Sequence, residues 1–175
     1  GNDDVGRLAL MVIATDASGA TASDTFELVV SNVNDAPKLV GAPSDQQAAE
    51  DTVFSYTLPN DIFEDIDAGD SLRYAATLAD GSVLPAWLAF DPATRTFRGT
   101  PGNADVGTLA VQVVATDGSG ESATAVFVLD VTNVNDAPVF DGSLPDQQVI
   151  AGTPFERMIP TSGFVDMDPG DTLAF

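Results

Sequence analysis

Apolar and polar positions alternate along several short segments of the chain, and turn residues separate these segments. Apolar residues take every second position in 125–131, which places Ala125, Phe127, Leu129 and Val131 on one face. A period of two is typical of a β-strand that buries one face, and no long segment has the helical period of 3.6. The predicted strands cover 54–58, 72–78, 87–90, 95–98, 108–113 and 125–131.

Turn residues between these segments complete the prediction of the fold class. Asp80-Gly81-Ser82 and Pro101-Gly102-Asn103 are typical connections between strands. About seven short strands with this spacing predict an all-β domain, a seven-stranded antiparallel Greek-key β-sandwich. The single tryptophan, Trp87, lies in an apolar run and is expected to fill the core. An exposed platform for stacking sugars is the alternative for this side chain.

The sequence repeats itself at an offset of 101 residues, since Asp35 recurs as Asp136 and Asp65 as Asp166. The segment 32–37 recurs unchanged at 133–138. We therefore predict a tandem array of modules of about 101 residues, and this chain is expected to cover one part of that array. The terminal pieces belong to one module type and could associate between chains. The predicted boundaries are 1–35 for the end of one module, 36–136 for a complete module and 137–175 for the start of a third.

The composition excludes several classes of function. There are 27 acidic and 6 basic side chains, a net charge of −21, and neither histidine nor cysteine. Catalysis by histidine or cysteine, disulfides and Cys/His zinc sites are thereby excluded. A surface this acidic repels phosphate backbones, so no nucleic-acid partner is expected. No apolar stretch approaches the ~20 residues of a membrane-spanning helix, so no membrane insertion is expected.

Carboxylates are concentrated in a loop that contains Asp65, Asp67 and Asp70. At ~5 Å and an effective dielectric constant of ~20, each pair of charges repels by about 3 kcal/mol before screening. A bound Ca²⁺ would relieve this repulsion because it prefers hard oxygen ligands, and the recurrence of the loop one repeat later favours such a site. A solvated turn is the alternative interpretation. The EF-hand pattern is not met, since its sixth and twelfth positions are here Asp70 and Ala76.

Several segments together resemble a known family. Val-Asn-Asp-Ala-Pro at 33–37 is similar to the linker between cadherin domains, and 63–74 resembles the cadherin loop between the second and third strands. With 113–117, 45–47, 84–91 and 97–101, the whole chain resembles the cadherin-like modules of dystroglycan type from bacteria. Such modules occur in tandem in large secreted or surface-anchored proteins, including adhesins, so the resemblance implies an extracellular location.

The resemblance also implies Ca²⁺ at each seam, shared by the two modules, and because the cadherin motifs are incomplete here we expect one or two ions per seam. At the first seam the implied side-chain ligands are Asn34, Asp35, Asp65, Asp67, Asp70 and Asp117, with carbonyl groups of Val33 and Ala36. At the second seam they are Asn135, Asp136, Asp166, Asp168, Asp171 and Glu50. The Asp-Arg-Glu motif of cadherins is missing, and Asp105, with its repeat partner Asp4, is the nearest carboxylate in that stretch.

These patterns predict a structural role. The expected function is a calcium-rigidified spacer of a long extracellular protein, an adhesin or fibre, whose partners are the neighbouring modules of the chain. A carbohydrate-binding or homophilic self-association module is the alternative, with polysaccharide or other copies of the chain as partner. With one Trp and two Tyr, the chain has few aromatic rings on which sugars could stack, and this favours the spacer over the carbohydrate-binding module. The chain is not expected to be an enzyme, because every close carboxylate pair recurs in the next module.

Overall fold

The computed structural model describes residues 1–67, 69–159, 163–168 and 170–174. The residues at 68 and 169, inside the two carboxylate loops, and those at 160–162 and 175 in the predicted third module, lie outside this part. Two short 3-10 turns occur at Asn2–Asp4 and Asn103–Asp105. The strands are β1 Gly6–Thr15, β2 Thr21–Val30, β3 Lys38–Leu39, β4 Gln46–Ala49, β5 Phe54–Thr57, β6 Phe63–Glu64, β7 Arg73–Leu78, β8 Leu88–Asp91, β9 Thr96–Gly99, β10 Gly107–Thr116, β11 Ser122–Thr132, β12 Val139–Phe140 and β13 Phe164–Val165.

The strands form sheets whose order is that of a β-sandwich. One sheet has four strands in the order β4-β11-β10-β7, and another has three in the order β5-β9-β8. Antiparallel pairs join β1 to β2, β3 to β6 and β12 to β13. The prediction of an all-β sandwich is confirmed. The described part of the chain contains no helix long and apolar enough to cross a membrane.

One pairing differs from the predicted antiparallel arrangement. β4 runs parallel to β11, with Gln46 opposite Leu129 and Ala49 opposite Thr132. Strands that pair in parallel are joined by long connections, so no local turn sequence reports this pairing. At the start of β4, Asp45 accepts a hydrogen bond of 2.8 Å from the backbone N–H of Val128. This contact accounts for the aspartate in the repeated Asp-Gln-Gln segment.

The chain packs into two compact units. The first comprises Gly1–Pro43, Pro59–Ala76 and Gln112–Val126. The second comprises Ser44–Leu58, Thr77–Val111 and Phe127–Phe175. The module boundaries of 1–35, 36–136 and 137–175 follow from the sequence repeat and stay a prediction.

Aromatic rings form the core of the second unit. The Phe127 ring on β11 lies 5.4 Å from the Phe97 ring on β9 and 5.4 Å from the Tyr56 ring on β5. Phe97 is fully buried, and Phe90 packs against it. Through these ring contacts the three-stranded sheet packs against β11. Trp87 is half-buried and lies over Gly99, where an added Cβ would come within 1.8 Å of the Trp87 carbonyl oxygen.

Alternation of burial along β10 and β11 follows the sequence pattern. In the first unit, Ala125 on β11 and both Val113 and Ala115 on β10 are buried. In the second unit, Val111, Phe127, Leu129 and Val131 are buried in the same way. The predicted apolar face of 125–131 is therefore confirmed.

The hairpin of β1 and β2 repeats β10 and β11 in sequence but presents its apolar face to solvent. Val12 is 59% exposed, while its repeat counterpart Val113 is fully buried. Phe26 is 53% exposed, against 2% for its counterpart Phe127. The same strand pattern thus occurs once with its face covered and once in 1–35, which the sequence repeat predicts to be only the end of a module.

Candidate functional site

Two clusters of oxygen-bearing side chains lie one repeat apart in the sequence. The first site is the set Asn34, Asp35, Asp65, Asp67, Asp70 and Asp117. The second site is the set Glu50, Asn135, Asp136, Asp166, Asp168 and Asp171. All members of the first site belong to the first compact unit, and all members of the second site belong to the second.

In the first site, a tight loop after β6 gathers three carboxylates. Asp65 Oδ1 accepts a hydrogen bond of 2.9 Å from the backbone N–H of Asp67, and the Asp67 carbonyl accepts one of 3.2 Å from Asp70. Gly69 has a φ of +95°, which glycine adopts without strain. One oxygen from each of Asp65, Asp67 and Asp70 lies within 4.8 Å of the others.

The linker segment fastens to this loop. The backbone N–H of Asp35 donates to Asp67 Oδ2 at 2.7 Å, and the Asn34 amide donates to Asp117 Oδ2 at 3.0 Å. Asp67 and Asp117 are both buried. The linker therefore bridges the carboxylate loop and the turn that follows β10.

Asp117 organises the turn between β10 and β11. Its Oδ1 accepts hydrogen bonds of 2.9, 2.7 and 2.8 Å from the backbone N–H groups of Ser119, Gly120 and Glu121. A Cβ at Gly118 would lie 3.4 Å from Asp70 Oδ1, so the Asp70 carboxylate is adjacent to this turn. The Asn34 amide is the main cause that lowers the pKa of Asp117, and burial opposes it while the turn N–H groups add to it.

The second site repeats this geometry. The backbone N–H of Asp136 donates to Asp168 Oδ2 at 2.8 Å, and that of Asp168 donates to Asp166 Oδ1 at 3.0 Å. Oxygens of Asp166, Asp168 and Asp171 again lie within 4.8 Å of one another. The Asn135 amide donates to the Asp136 carbonyl at 2.9 Å.

Glu50 adds a carboxylate to the second site from the end of β4. It is fully buried, and its Oε1 accepts a hydrogen bond of 2.7 Å from the backbone N–H of Val134. Oxygens of Glu50, Asp136 and Asp168 lie within 4.8 Å of one another. Glu50 Oε2 and Asp168 Oδ1 are buried and make no hydrogen bond within the described residues.

Buried carboxylate oxygens without a partner are costly, because ionised groups lose hydration without compensation. At the second site these oxygens belong to residues of a carboxylate cluster, and at the first site the buried Asp65 Oδ2 likewise has no hydrogen-bond partner among the described residues. The donor set contains only carboxylate, amide and backbone oxygens. Such a set suits a hard divalent cation such as Ca²⁺, which takes 6–8 oxygen ligands.

Asp105 makes a contact within its own turn, and the structure adds two residues to those predicted for the sites. The Asp105 carboxylate accepts a hydrogen bond of 2.9 Å from the backbone N–H of Gly102. From the turns Asn2–Asp4 and Asn103–Asp105, the asparagines and not the aspartates contact the sites in the described part of the chain. Asn2 donates to Asp35 and Asp67, and Asn103 donates to Asp136. Sequence reasoning missed both, although the recurrence of Gly-Asn at the repeat offset marked them.

Adhesins are among the proteins similar to this chain in sequence. A "Serine-rich adhesin for platelets" of Staphylococcus aureus strain MSSA476 is 29% identical over 149 residues, covering 84% of this chain and 6% of the adhesin. The adhesin of the same name from strain MRSA252 is 30% identical over 128 residues, covering 73% of this chain and 9% of the adhesin. The chain thus spans less than a tenth of the length of these relatives.

Cadherin domains are similar to this chain in structure. Human mucin-like protocadherin EC1-2 has a TM-score of 0.57 and 18% identity, covering 76% of this chain and 71% of the protocadherin chain. Protocadherin gamma B7 extracellular cadherin domains 1–4 have a TM-score of 0.54 and 21% identity, covering 84% and 37% of the two chains. These likenesses show that the fold is cadherin-like.

A family model whose description reads "Putative Ig domain" (He_PIG) matches residues 36–132, more than half of the chain. The match extends from the first linker across β3–β11 and so covers the strands of the sandwich. The chain therefore belongs to the He_PIG family of Ig-like domains.

Proposed function

We propose that this chain is a calcium-rigidified structural spacer of a long extracellular protein of the adhesin type. The sequence relatives named as adhesins and the Ig-like family support an adhesin-type module outside the cell. They also support a role that is not enzymatic. Spacer function and calcium binding are proposed from the two sites themselves.

The observation that carries the proposal is the buried, unpartnered oxygen of Glu50 in the second site. One oxygen each of Glu50, Asp136 and Asp168 lies within 4.8 Å of the others, and Glu50 Oε2 and Asp168 Oδ1 have no hydrogen-bond partner among the described residues. Three carboxylates at this distance repel one another in the absence of a cation, and Glu50 is fully buried. A bound Ca²⁺ would satisfy the free oxygens and offset the repulsion.

Repetition extends the proposal from one site to the array. The bond from the Asp35 N–H to Asp67 measures 2.7 Å, and its counterpart from Asp136 to Asp168 measures 2.8 Å. The same linker atoms therefore hold the same loop carboxylates at both sites. An ion held jointly by linker and loop would restrain the joint between consecutive modules, so a series of such sites would form a stiff rod. Extracellular calcium modules bind with Kd values of ~10⁻⁴–10⁻³ M, which suits the extracellular location.

Calorimetric titration of Ca²⁺ into the chain tests this function. We expect Asp67→Ala to weaken binding at the first site and Glu50→Gln to weaken it at the second, with the sandwich still folded in excess calcium. Asp24→Ala is the matched control, because Asp24 is an exposed carboxylate on β2 outside both sites. Equal calcium binding in all four proteins would refute the assignment of ligands.

A further inference from the structure

Two asparagine amides sit among the carboxylates of the two sites. Asn2 Nδ2 donates to Asp35 Oδ2 at 3.1 Å and to Asp67 Oδ1 at 2.9 Å. Asn103 Nδ2 donates to Asp136 Oδ2 at 2.7 Å. Each asparagine begins a 3-10 turn that precedes a long strand, and the two turns lie one repeat apart. The same amide-to-carboxylate contact therefore occurs at both sites.

An asparagine amide in this position can act in both the metal-free and the metal-bound form of the site. Its NH₂ group donates two hydrogen bonds, and its carbonyl oxygen is an acceptor and a ligand for hard cations. Rotation by about 180° around the Cβ–Cγ bond exchanges the two ends with little change in shape. In the arrangement observed, the NH₂ group lies where it partly compensates the repulsion between carboxylates. An aspartate could not do this, because an ionised carboxylate has no donor.

We propose that Asn2 and Asn103 are switchable members of the two sites, which stabilise the metal-free form through Nδ2 and ligate Ca²⁺ through Oδ1. This inference rests on the proposed function. The second site offers an independent pointer to a ligand, since Glu50 is fully buried, its Oε2 has no hydrogen-bond partner among the described residues, and an oxygen of Glu50 lies within 4.8 Å of one from Asp136, which Asn103 contacts. The asparagines make both sites less negative than carboxylates in the same positions would.

The lower charge has a consequence for affinity. The Kd of oxygen-ligand calcium sites depends on the number of charged ligands and on the rigidity of the site. A neutral amide in place of a carboxylate weakens binding and reduces repulsion in the metal-free form. Asn2 and Asn103 therefore lower the calcium affinity of both sites and stabilise the metal-free form of each.

The test compares Asn103→Asp and Asn103→Ala with the unchanged chain, using Ca²⁺ calorimetry and thermal unfolding in chelator. We expect Asn103→Asp to bind Ca²⁺ about tenfold more tightly at the second site, and to unfold at a lower temperature in chelator. Asn103→Ala should bind Ca²⁺ more weakly and also unfold earlier in chelator. Asn60→Asp adds the same charge at an exposed position outside the sites and controls for net charge.

The outcomes separate this inference from the function on which it rests. If the unchanged chain binds Ca²⁺ but Asn103→Asp and Asn103→Ala bind it equally well, the asparagine is not a ligand and only the further inference fails. If the unchanged chain binds no Ca²⁺, the proposed function fails and takes the ligand role with it. If neither variant lowers the unfolding temperature in chelator beyond Asn60→Asp, the stabilising role of the Asn103 amide is overturned.

Discussion

At the scale of single residues, Asp117 shows how the linker acts on the first site. Its carboxylate is buried, yet its pKa is lowered, because the Asn34 amide and three backbone N–H groups donate to it. Hydrogen bonds to the ionised form outweigh the cost of burial here. Asn34 therefore stabilises the ionised form of the Asp117 carboxylate.

Replacing Asn34 tests this dependence. We expect Asn34→Ala to raise the pKa of Asp117, because it removes the largest cause of the lowering. Carboxyl NMR titration in chelator measures the change. Asp16 is the matched control, since its pKa is lowered chiefly by the hydroxyl of Ser18 and should not move. An unchanged pKa at Asp117 would contradict the account.

The same shift predicts how stability depends on pH. A carboxyl group whose pKa is lower in the folded state stabilises the fold above its unfolded pKa of ~3.9, and this contribution is lost as the pH falls through the folded pKa. Because Asn34→Ala raises the folded-state pKa of Asp117, it brings this pKa closer to the unfolded-state value. Its stability should therefore decline less than that of the unchanged chain over this acid range, as measured by denaturant unfolding.

The limits of sequence reasoning at this scale lie in the uncharged residues. The repeated Asp-x-Asp loop and the linker identified Asp67, Asp136 and Asp168, which the structure brings to carboxylate clusters. Asn2 and Asn103 were missed because asparagine is an ordinary turn residue with no charge to mark it. Only the three-dimensional course of the chain brings these turns, 33 residues before the linker aspartates, to the sites.

At the scale of elements, β10 and β11 match their sequence pattern closely. The alternation of apolar and polar residues predicted strands at 108–113 and 125–131. In the structure, β10 and β11 run over Gly107–Thr116 and Ser122–Thr132. Alternation reports which face is buried, so it succeeds where one face packs on a core. It carries no information about partners that are distant in sequence, and for this reason the parallel pairing of β4 with β11 was not predicted.

Equivalent phenylalanines in the two hairpins give a matched test of burial. Phe127→Ala should cost about 3–5 kcal/mol of the free energy of unfolding, because it leaves a cavity beside the Tyr56 and Phe97 rings. Phe26→Ala, at the same repeat position, should cost much less because Phe26 is 53% exposed. Denaturant unfolding in dilute solution compares the two, and equal losses would contradict the observed difference in burial.

At the scale of the whole molecule, the net charge of −21 is unevenly distributed. Five polar or charged side chains are buried among the described residues, and four of them are carboxylates of the two sites, namely Glu50, Asp67, Asp117 and Asp168. The sandwich therefore buries negative charge at the ends of the linkers, where a divalent cation would neutralise it. If the two sites bind Ca²⁺ as proposed, its removal should weaken the fold as well as the proposed joints between modules.

Thermal unfolding of the chain in calcium and in chelator distinguishes sites that bind Ca²⁺ from carboxylate clusters that are only solvated. A ligand that binds only the folded form stabilises it by RT ln(1 + [L]/Kd), about 2.7 kcal/mol at 100-fold saturation. We expect a higher unfolding temperature in calcium, and a smaller increase when Glu50→Gln or Asp67→Ala is present. The same unfolding temperature in calcium and in chelator would mean that the two carboxylate clusters are solvated turns, and the spacer proposal would fall.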